Sequence, residues 1–210
     1  MNKNIERRMY NFEIRAENTE SGERILTGRP IVFGRVTDLG YFDEMIAPGA
    51  ISEGAMKDVR FLVNHDEKMI PLARSRNNNE NSTMKLSVDN EGMNIDWLKL
   101  DVERNATARE LESAVDRGDL DGMSFMFNVE RDEWENLDSE HPLRIIREIS
   151  NIYELSACTF PAYEDTVINV RNKEALDNAK ATLESARRSL DSDTEDNTLL
   201  LEKLKMKYLY

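Results

Sequence analysis

Ser124, His65 and two late carboxylates, Glu148 and Glu154, are the side chains of this sequence whose types could support covalent catalysis. A serine hydroxyl is a poor nucleophile until a neighbouring base takes its proton, and a neutral imidazole can do so near physiological pH. A carboxylate can then orient the imidazole and stabilise its charged form. The chemistry open to such a set is attack of the hydroxyl on an acyl carbon.

Each of these residues also has an ordinary structural interpretation. A serine beside a glycine in a turn is usually a turn residue, and most histidines are not catalytic. Glu148 could form a salt bridge with Arg144 or Arg147, or lie on a solvated edge. Glu154 is flanked by a tyrosine and a leucine, so we expect it to be placed more deeply. The residue types alone leave the choice open.

The segment around Ser124 predicts where its hydroxyl lies. Residues 116–128 read DRGDLDGMSFMFN, a polar turn with two glycines followed by an alternating strand pattern. Residues 105–117 before it predict a helix that Asn105 could cap and that Gly118 could end. Ser124 then stands where loop becomes strand, and we expect its hydroxyl to project from a rigid edge without being buried.

The other candidates also fall on predicted strands. Val59–Val63 is a short apolar strand that leads to His65, and side chains at strand ends tend to face a cleft. Residues 143–160 predict one long strand or a pair of strands. Alternation with period two would put Glu148 and Glu154 on the same face of that strand.

The remaining patterns predict a chain rich in strands. Residues 34–54 read as a long loop, and a loop of that length is often functional. Residues 136–142 read as a polar loop that carries His141. Further strands are predicted over residues 7–16, 23–33, 84–88 and 93–100, with a hairpin turn at 89–92 and an exposed loop at 74–83.

The composition changes after Pro161. Residues 191–197, DSDTEDN, interrupt the helical pattern that precedes them, and Thr198 could cap a last short helix. Such a tail cannot form its own core, so we expect it to pack on a partner, on another copy or on the domain; a partly disordered charged linker is the alternative. Residues 173–190 predict the main amphipathic helix, with heptad spacing at Leu176, Ala179, Leu183, Ala186 and Leu190.

Composition excludes several classes of function. The chain of 210 residues suits one domain plus an appendage. Its net charge of −13 argues against a nucleic-acid partner, since phosphate contacts need clustered Lys and Arg. No apolar run of 18 residues predicts a membrane span, and the charged first residues do not resemble a signal peptide, which predicts a cytoplasmic protein.

The soft metal ligands are few. A single cysteine, Cys158, rules out an internal disulfide, and its apolar surroundings predict a buried structural thiol. His65, His141 and Cys158 are too few for a structural zinc site. We therefore expect neither a metal nor a cofactor, and a metallohydrolase is poorly supported.

Five segments together carry a resemblance to a known family. The sequence resembles the prohead proteases of tailed bacteriophages, the enzymes that mature viral capsids, over about residues 7 to 170. The segments, in the family's order and spacing, are 28–33 (GRPIVF), 42–50 (FDEMIAPGA), 64–66 (NHD), 118–125 (GDLDGMSF) and 153–162 (YELSACTFPA). The last of them ends in Pro161 and Ala162 and is followed by Tyr163, where the family typically has Pro-Ala-Asn.

The family is distantly similar to the herpesvirus capsid protease, assemblin. That resemblance implies a mostly β fold of the α+β class, with a closed antiparallel β-barrel wrapped by helices. We expect residues 1–170 to form this protease domain. Residues 171–210 would be an amphipathic helical tail that serves scaffold contact, targeting or self-association.

The resemblance also implies the site residues. Ser124 fills the serine of the Gly-x-Ser motif and would be the nucleophile, and His65 fills the Asn-His-Asp motif and would be the general base. The herpesvirus enzymes have a histidine on a late strand as the third member. Here that strand offers Glu154, with Glu148 as the second choice, whereas His141 falls in a loop and is not assigned. The oxyanion donors could come from the approach to Ser124 or from the turn after residue 160.

The implied function is that of a serine endopeptidase inside the immature capsid, or prohead, in the cytoplasm of the bacterial host. It would cleave scaffold and the major capsid protein, and then itself. A homo-oligomer is expected, with a dimer as one option, because the herpesvirus relatives depend on dimers. The alternative is a catalytically silent capsid scaffold or assembly chaperone that acts through the helical tail.

Overall fold

A computed structural model gives the structure of the chain and describes residues 5–10, 14–20, 23–159 and 179–190. The fold is mostly β with two helices, which confirms the predicted α+β class. The strands are β1 (Ile5–Tyr10), β2 (Ile14–Asn18), β3 (Arg24–Val32), β4 (Val36–Asp38), β5 (Asp43–Ile46), β6 (Val59–Val63), β7 (Ala73–Ser75), β8 (Met84–Val88), β9 (Gly92–Leu98), β10 (Gly122–Glu135) and β11 (Leu143–Cys158). The helices are α1 (Ala106–Asp116) and α2 (residues 179–190), with a short 3-10 helix at Glu53–Met56.

The strands form two sheets. One has seven strands, with β1, β10, β11, β5 and β4 in order, while β6 pairs with both β11 and β7. The other has four strands in the order β2, β3, β9, β8. Strand β11 is antiparallel to β10 along its length and parallel to β5 and β6 on its other edge, β5 near its start and β6 near its end. It therefore lies between β10, which carries Ser124, and β6, which leads to His65.

The expected closed antiparallel barrel is not confirmed. Among the described strands the pairing does not close, and two separate sheets remain. The larger sheet is also mixed rather than antiparallel, because β5 and β6 run parallel to β11. A parallel neighbour needs a crossover connection instead of a tight hairpin, and the alternation within each strand does not show in which direction its partner runs.

The core is shared by both sheets. One continuous cluster joins residues of the smaller sheet, such as Leu26 and Ile95, with Phe125 and Phe127 of β10. Helix α1 contributes Leu111 to the same cluster. Burial of these apolar side chains is the main force that holds the two sheets together.

Two element predictions are wrong. Residues 7–16 do not form one strand: β1 and β2 belong to different sheets. Residues 34–54 are not a long irregular loop, since they contain β4, β5 and the start of the 3-10 helix. Strand β5 is four residues long and carries a buried glutamate, Glu44, so its sequence shows no clear apolar alternation.

Other element predictions are confirmed, and their local chemistry explains them. Strand β6 has the predicted bounds. The Asn105 side chain caps α1 by accepting a hydrogen bond from the main-chain N–H of Ala108 at 3.2 Å. Gly118 follows the helix with φ of 71°, in the left-handed region that favours glycine.

Helix α2 is the described part of the predicted tail. Ala179 and Leu183, on its predicted apolar face, pack against Leu39 and Phe42. Arg187 donates hydrogen bonds to the main-chain carbonyl oxygens of Leu137 and Ser139, which lie in the connection between β10 and β11. This part of the tail packs on the domain, whereas the predictions for residues 173–178 and 191–210 lie outside the described residues. No helix in the described ranges is long and apolar enough to cross a membrane.

Candidate active site

Ser124 is the third residue of β10 and lies inside the sheet. Its register partners are Met9 of β1 on one side and Ser156 of β11 on the other. Its exposed fraction is 0%. The prediction that the Ser124 hydroxyl projects unburied from an edge is therefore wrong. Strand β1 pairs with one edge of β10 and β11 pairs with the other.

His65 lies in a tight turn directly after β6. Both Asn64 and His65 adopt left-handed backbone conformations, with φ of 52° and 56°, which residues other than glycine seldom adopt. The turn is held against the end of β11, because the Asn64 side chain exchanges hydrogen bonds with Thr159, at 2.9 Å to its hydroxyl and 3.0 Å from its N–H. Strained backbone that neighbouring groups hold in place is typical of functional sites.

The turn places the His65 ring between Ser124 and Glu154. The Nε2 atom of His65 lies 2.6 Å from Ser124 Oγ, and the Nδ1 atom is hydrogen-bonded to Glu154 Oε1. Glu154 is 3% exposed, so its carboxylate interacts with the imidazole away from solvent. The structure thus brings together three predicted residues that lie far apart in the sequence.

Ser156 is a further polar residue of this site that the sequence analysis did not assign. Its hydroxyl donates a 2.6 Å hydrogen bond to Glu154 Oε2 and accepts a 3.1 Å hydrogen bond from the main-chain N–H of His65. Ser156 therefore joins the carboxylate to the His65 turn. Its position two residues after Glu154 on the same strand was the available signal.

Glu148 is not part of the cluster. It is exposed and lies opposite Arg131 in the β10–β11 register. Glu154 is buried beside His65, whereas Glu148 lies six residues earlier on β11, and four register shifts interrupt the pairing between β10 and β11, one of them between the partners of Glu154 and Ile152. A bulge inserts an unpaired residue and breaks the simple alternation of side chains.

Cys158 follows the cluster on β11 and is buried, as predicted. Burial, together with the nearby charge of Glu154, raises the pKa of its thiol to about 12. The thiol therefore stays protonated at neutral pH and is not a competing nucleophile.

His141 lies elsewhere, at the start of β11. Its Nε2 atom is 3.1 Å from Asp43 Oδ1 and 3.6 Å from Asp38 Oδ1, and all three residues have partly exposed side chains. The ligand atoms lie within 4.8 Å of one another, so they could hold a metal ion. Exposed acidic groups are common without one, and no hydrogen bond or ion pair given for the described residues joins this cluster to Ser124.

A sequence model of the caudovirus prohead serine proteases matches residues 10–181 of the chain. The chain belongs to this family. Comparisons with curated proteins and with solved structures gave no match. As a prohead serine protease, it is a hydrolase of bacteriophage capsid maturation, and family members act within the prohead with capsid proteins.

Proposed function

We propose that this prohead protease cleaves peptide bonds with Ser124 as nucleophile, His65 as general base and Glu154 as the orienting carboxylate. The observation that carries the proposal is the continuous hydrogen-bonded path from Ser124 Oγ through both nitrogens of His65 to Glu154. A nucleophile, a base in contact with it and a third group that orients the base are the requirements of this chemistry.

The reaction proceeds in two stages. Ser124 Oγ attacks the carbonyl carbon of the scissile bond while His65 Nε2 takes the hydroxyl proton, and the tetrahedral intermediate collapses as His65 gives that proton to the departing amine. Water then attacks the acyl-enzyme in the same way and releases the acid. Glu154 holds Nδ1 in hydrogen-bond contact throughout and stabilises the positive charge that forms on the ring.

The proposed substrates are scaffold and the major capsid protein inside the prohead, followed by the protease itself. Family membership supports a role with capsid proteins. The net charge of −13 favours basic or neutral segments over acidic ones. We propose that residues 1–170 form the protease domain and that residues 171–210 serve scaffold contact, targeting or self-association, with a homo-oligomer, a dimer being one option, as the expected assembly.

The complete burial of Ser124 favours a second candidate function. A chain whose hydroxyl no substrate reaches would act as a catalytically silent scaffold or assembly chaperone through its tail. The two candidates differ in whether Ser124 is needed for capsid processing.

Replacement of Ser124 with alanine tests the proposal. Ser124→Ala should reduce the cleavage of co-expressed capsid protein by about a million-fold, to below detection, because no other hydroxyl contacts His65 Nε2 in the described structure. The readout is the capsid protein's mass on gels, with the melting temperature of the purified variant as a check on folding. Normal processing by this variant would exclude the protease mechanism.

Ser150→Ala is the matched control. Ser150 lies on β11, and its buried hydroxyl has no hydrogen-bond partner in the described residues. The same chemical change there should leave processing intact.

A further inference from the structure

Strand β1 covers the proposed nucleophile. Arg8 lies opposite Phe125 and Met9 lies opposite Ser124 in an antiparallel pairing that runs from Ile5 to Tyr10. The Ser124 hydroxyl donates a 2.6 Å hydrogen bond to the main-chain carbonyl oxygen of Arg8. A carbonyl of the chain itself therefore occupies the space beside Oγ that a scissile carbonyl must enter.

The hydrogen bond to Arg8 also competes with catalysis. A serine hydroxyl has one proton, and acylation requires that proton to move from Ser124 Oγ to His65 Nε2. While the proton is donated to the Arg8 carbonyl, it is not directed at His65 Nε2, which lies 2.6 Å from the same oxygen. If β1 leaves, the Ser124 hydroxyl can donate its proton to His65 Nε2 instead.

The arrangement of β1 resists cleavage of β1 itself. The Arg8 carbonyl presents its oxygen to Ser124, whereas a nucleophile must approach the carbonyl carbon. The Arg8 side chain is buried and ion-paired to Glu44 and Glu6, so the carbonyl is held in this orientation. The strand is a bound but unreactive peptide at the nucleophile.

We propose that β1 occupies the position of the substrate main chain, and that cleavage follows replacement of β1 on β10 by an extended segment of the substrate. This inference rests on the proposed function of Ser124. The substrate class is an unfolded peptide segment that pairs through its backbone, as in strand addition to a sheet edge, and folded loops are excluded. The chain is latent until such a segment, or the loss of β1, frees Ser124.

A disulfide that locks β1 onto β10 tests this inference. Arg7 and Met126 face each other in the register, two residues along β10 from Ser124, and directly opposed residues of antiparallel strands are close enough for a disulfide. The R7C/M126C variant is compared in oxidised and reduced form. One readout is cleavage of unprocessed capsid protein purified from S124A co-expression, and the other is labelling of Ser124 by a fluorophosphonate.

We expect oxidation to slow both reactions by at least about tenfold, because local opening of β1 is then blocked, and reductant to restore them. The single variants R7C and M126C should not respond to oxidant, which controls for Cys158. Undiminished cleavage and labelling by the oxidised protein, with the disulfide verified by intact mass, would overturn strand replacement alone. Absence of cleavage and labelling in every form, wild type included, would instead refute the proposed function and this inference with it.

Hydrogen exchange of the unmodified chain provides a second measurement if the cysteine variant does not fold. Labelling of Ser124 by the fluorophosphonate should remove the protection of the main-chain amides over residues 5–10, because the phosphonyl group takes the place of the Arg8 carbonyl. Unchanged protection of those amides in fully labelled protein would contradict the proposal.

Discussion

At the residue scale, the reactivity of His65 depends on which carboxylate meets its Nδ1 atom. Glu154 does so from a buried position, and Ser156 holds the other oxygen of that carboxylate at 2.6 Å. The same Ser156 hydroxyl accepts a hydrogen bond from the main-chain N–H of His65, so the orientation of the ring and the orientation of the carboxylate are coupled. Loss of either contact should misdirect the imidazole rather than remove the nucleophile.

The two glutamates of β11 allow a matched test of this role. Glu154→Gln should lower kcat by about 10⁴-fold with a folded protein, because the amide favours the wrong tautomer of His65, as an amide does in other triads. Glu148→Gln changes the same side chain at an exposed position and should leave kcat near the wild-type value. The measurement is the rate of capsid-protein cleavage, and equal rates for the two variants would remove Glu154 from the mechanism.

At the scale of elements, β1 is attached to the larger sheet by buried ion pairs. Glu6 and Arg8 of β1 contact Arg144 of β11 and Glu44 of β5, and all four residues are buried. Burial alone would raise the pKa of Glu6, but the guanidinium groups of Arg8 and Arg144 outweigh it and hold the pKa at about 2. Burial would likewise lower the pKa of Arg144, and its acidic neighbours keep it above the usual value.

The Glu6 carboxyl should make stability dependent on pH. Its pKa is lower in the folded state than the ordinary 4.5, so its contribution is complete above that value and is lost as the pH falls through about 2. Glu6→Gln should therefore reduce the free energy of unfolding by about 3 kcal/mol at pH 7 and by less at pH 3. Urea unfolding at the two pH values measures the difference.

The control for this prediction is an exposed ion pair. Glu23 lies 2.9 Å from Lys99, and both side chains are about half exposed. Glu23→Gln should change the free energy of unfolding by less than about 1 kcal/mol at either pH, because solvent screens such pairs. A Glu6 variant that behaves like the Glu23 variant would mean that the buried network does not hold β1.

At the scale of the whole molecule, α2 connects the tail to the protease domain. Ala179 and Leu183 bury their side chains against Leu39 and Phe42, beside the connection between β10 and β11. This face is distant in sequence from the site residues, and none of them contacts α2 among the described contacts. The tail can therefore be altered without changing the hydrogen bonds among Ser124, His65 and Glu154.

Deletion of the tail separates the two candidate functions. Removal of residues 171–210 should retain cleavage of unfolded capsid protein, abolish incorporation into proheads and lower the melting temperature by several degrees, because Leu39 and Phe42 become exposed. Removal of residues 191–210 alone keeps the contacts of Ala179 and Leu183 with Leu39 and Phe42, so it should lower the melting temperature by less than the longer deletion. If the variant that lacks residues 171–210 folds but no longer cleaves, the result would favour a tail-dependent assembly role.

Sedimentation tests self-association. A strictly monomeric species, with or without the tail, would argue against it.

Much of the fold and the site was predictable because the signals are local. The Asn105 cap, the Gly118 stop and the apolar run of β6 each follow from a few neighbouring residues. Ser124, His65 and Glu154 were predicted from their motifs and from the resemblance to the prohead proteases. The serine protease family of this chain is therefore a property that its sequence determines by itself.

Tertiary structure alone decided the choice between Glu154 and Glu148, the role of Ser156 and the coverage of Ser124 by β1. These features depend on how strands pair across up to 123 positions of the sequence, as for the register partners Ile5 of β1 and Asn128 of β10. The parallel pairing of β6 with β11 is another such contact, since it joins Arg60 with Glu154. Alternation of apolar residues records which face of a strand is buried, but it contains no information on which strand lies beside it.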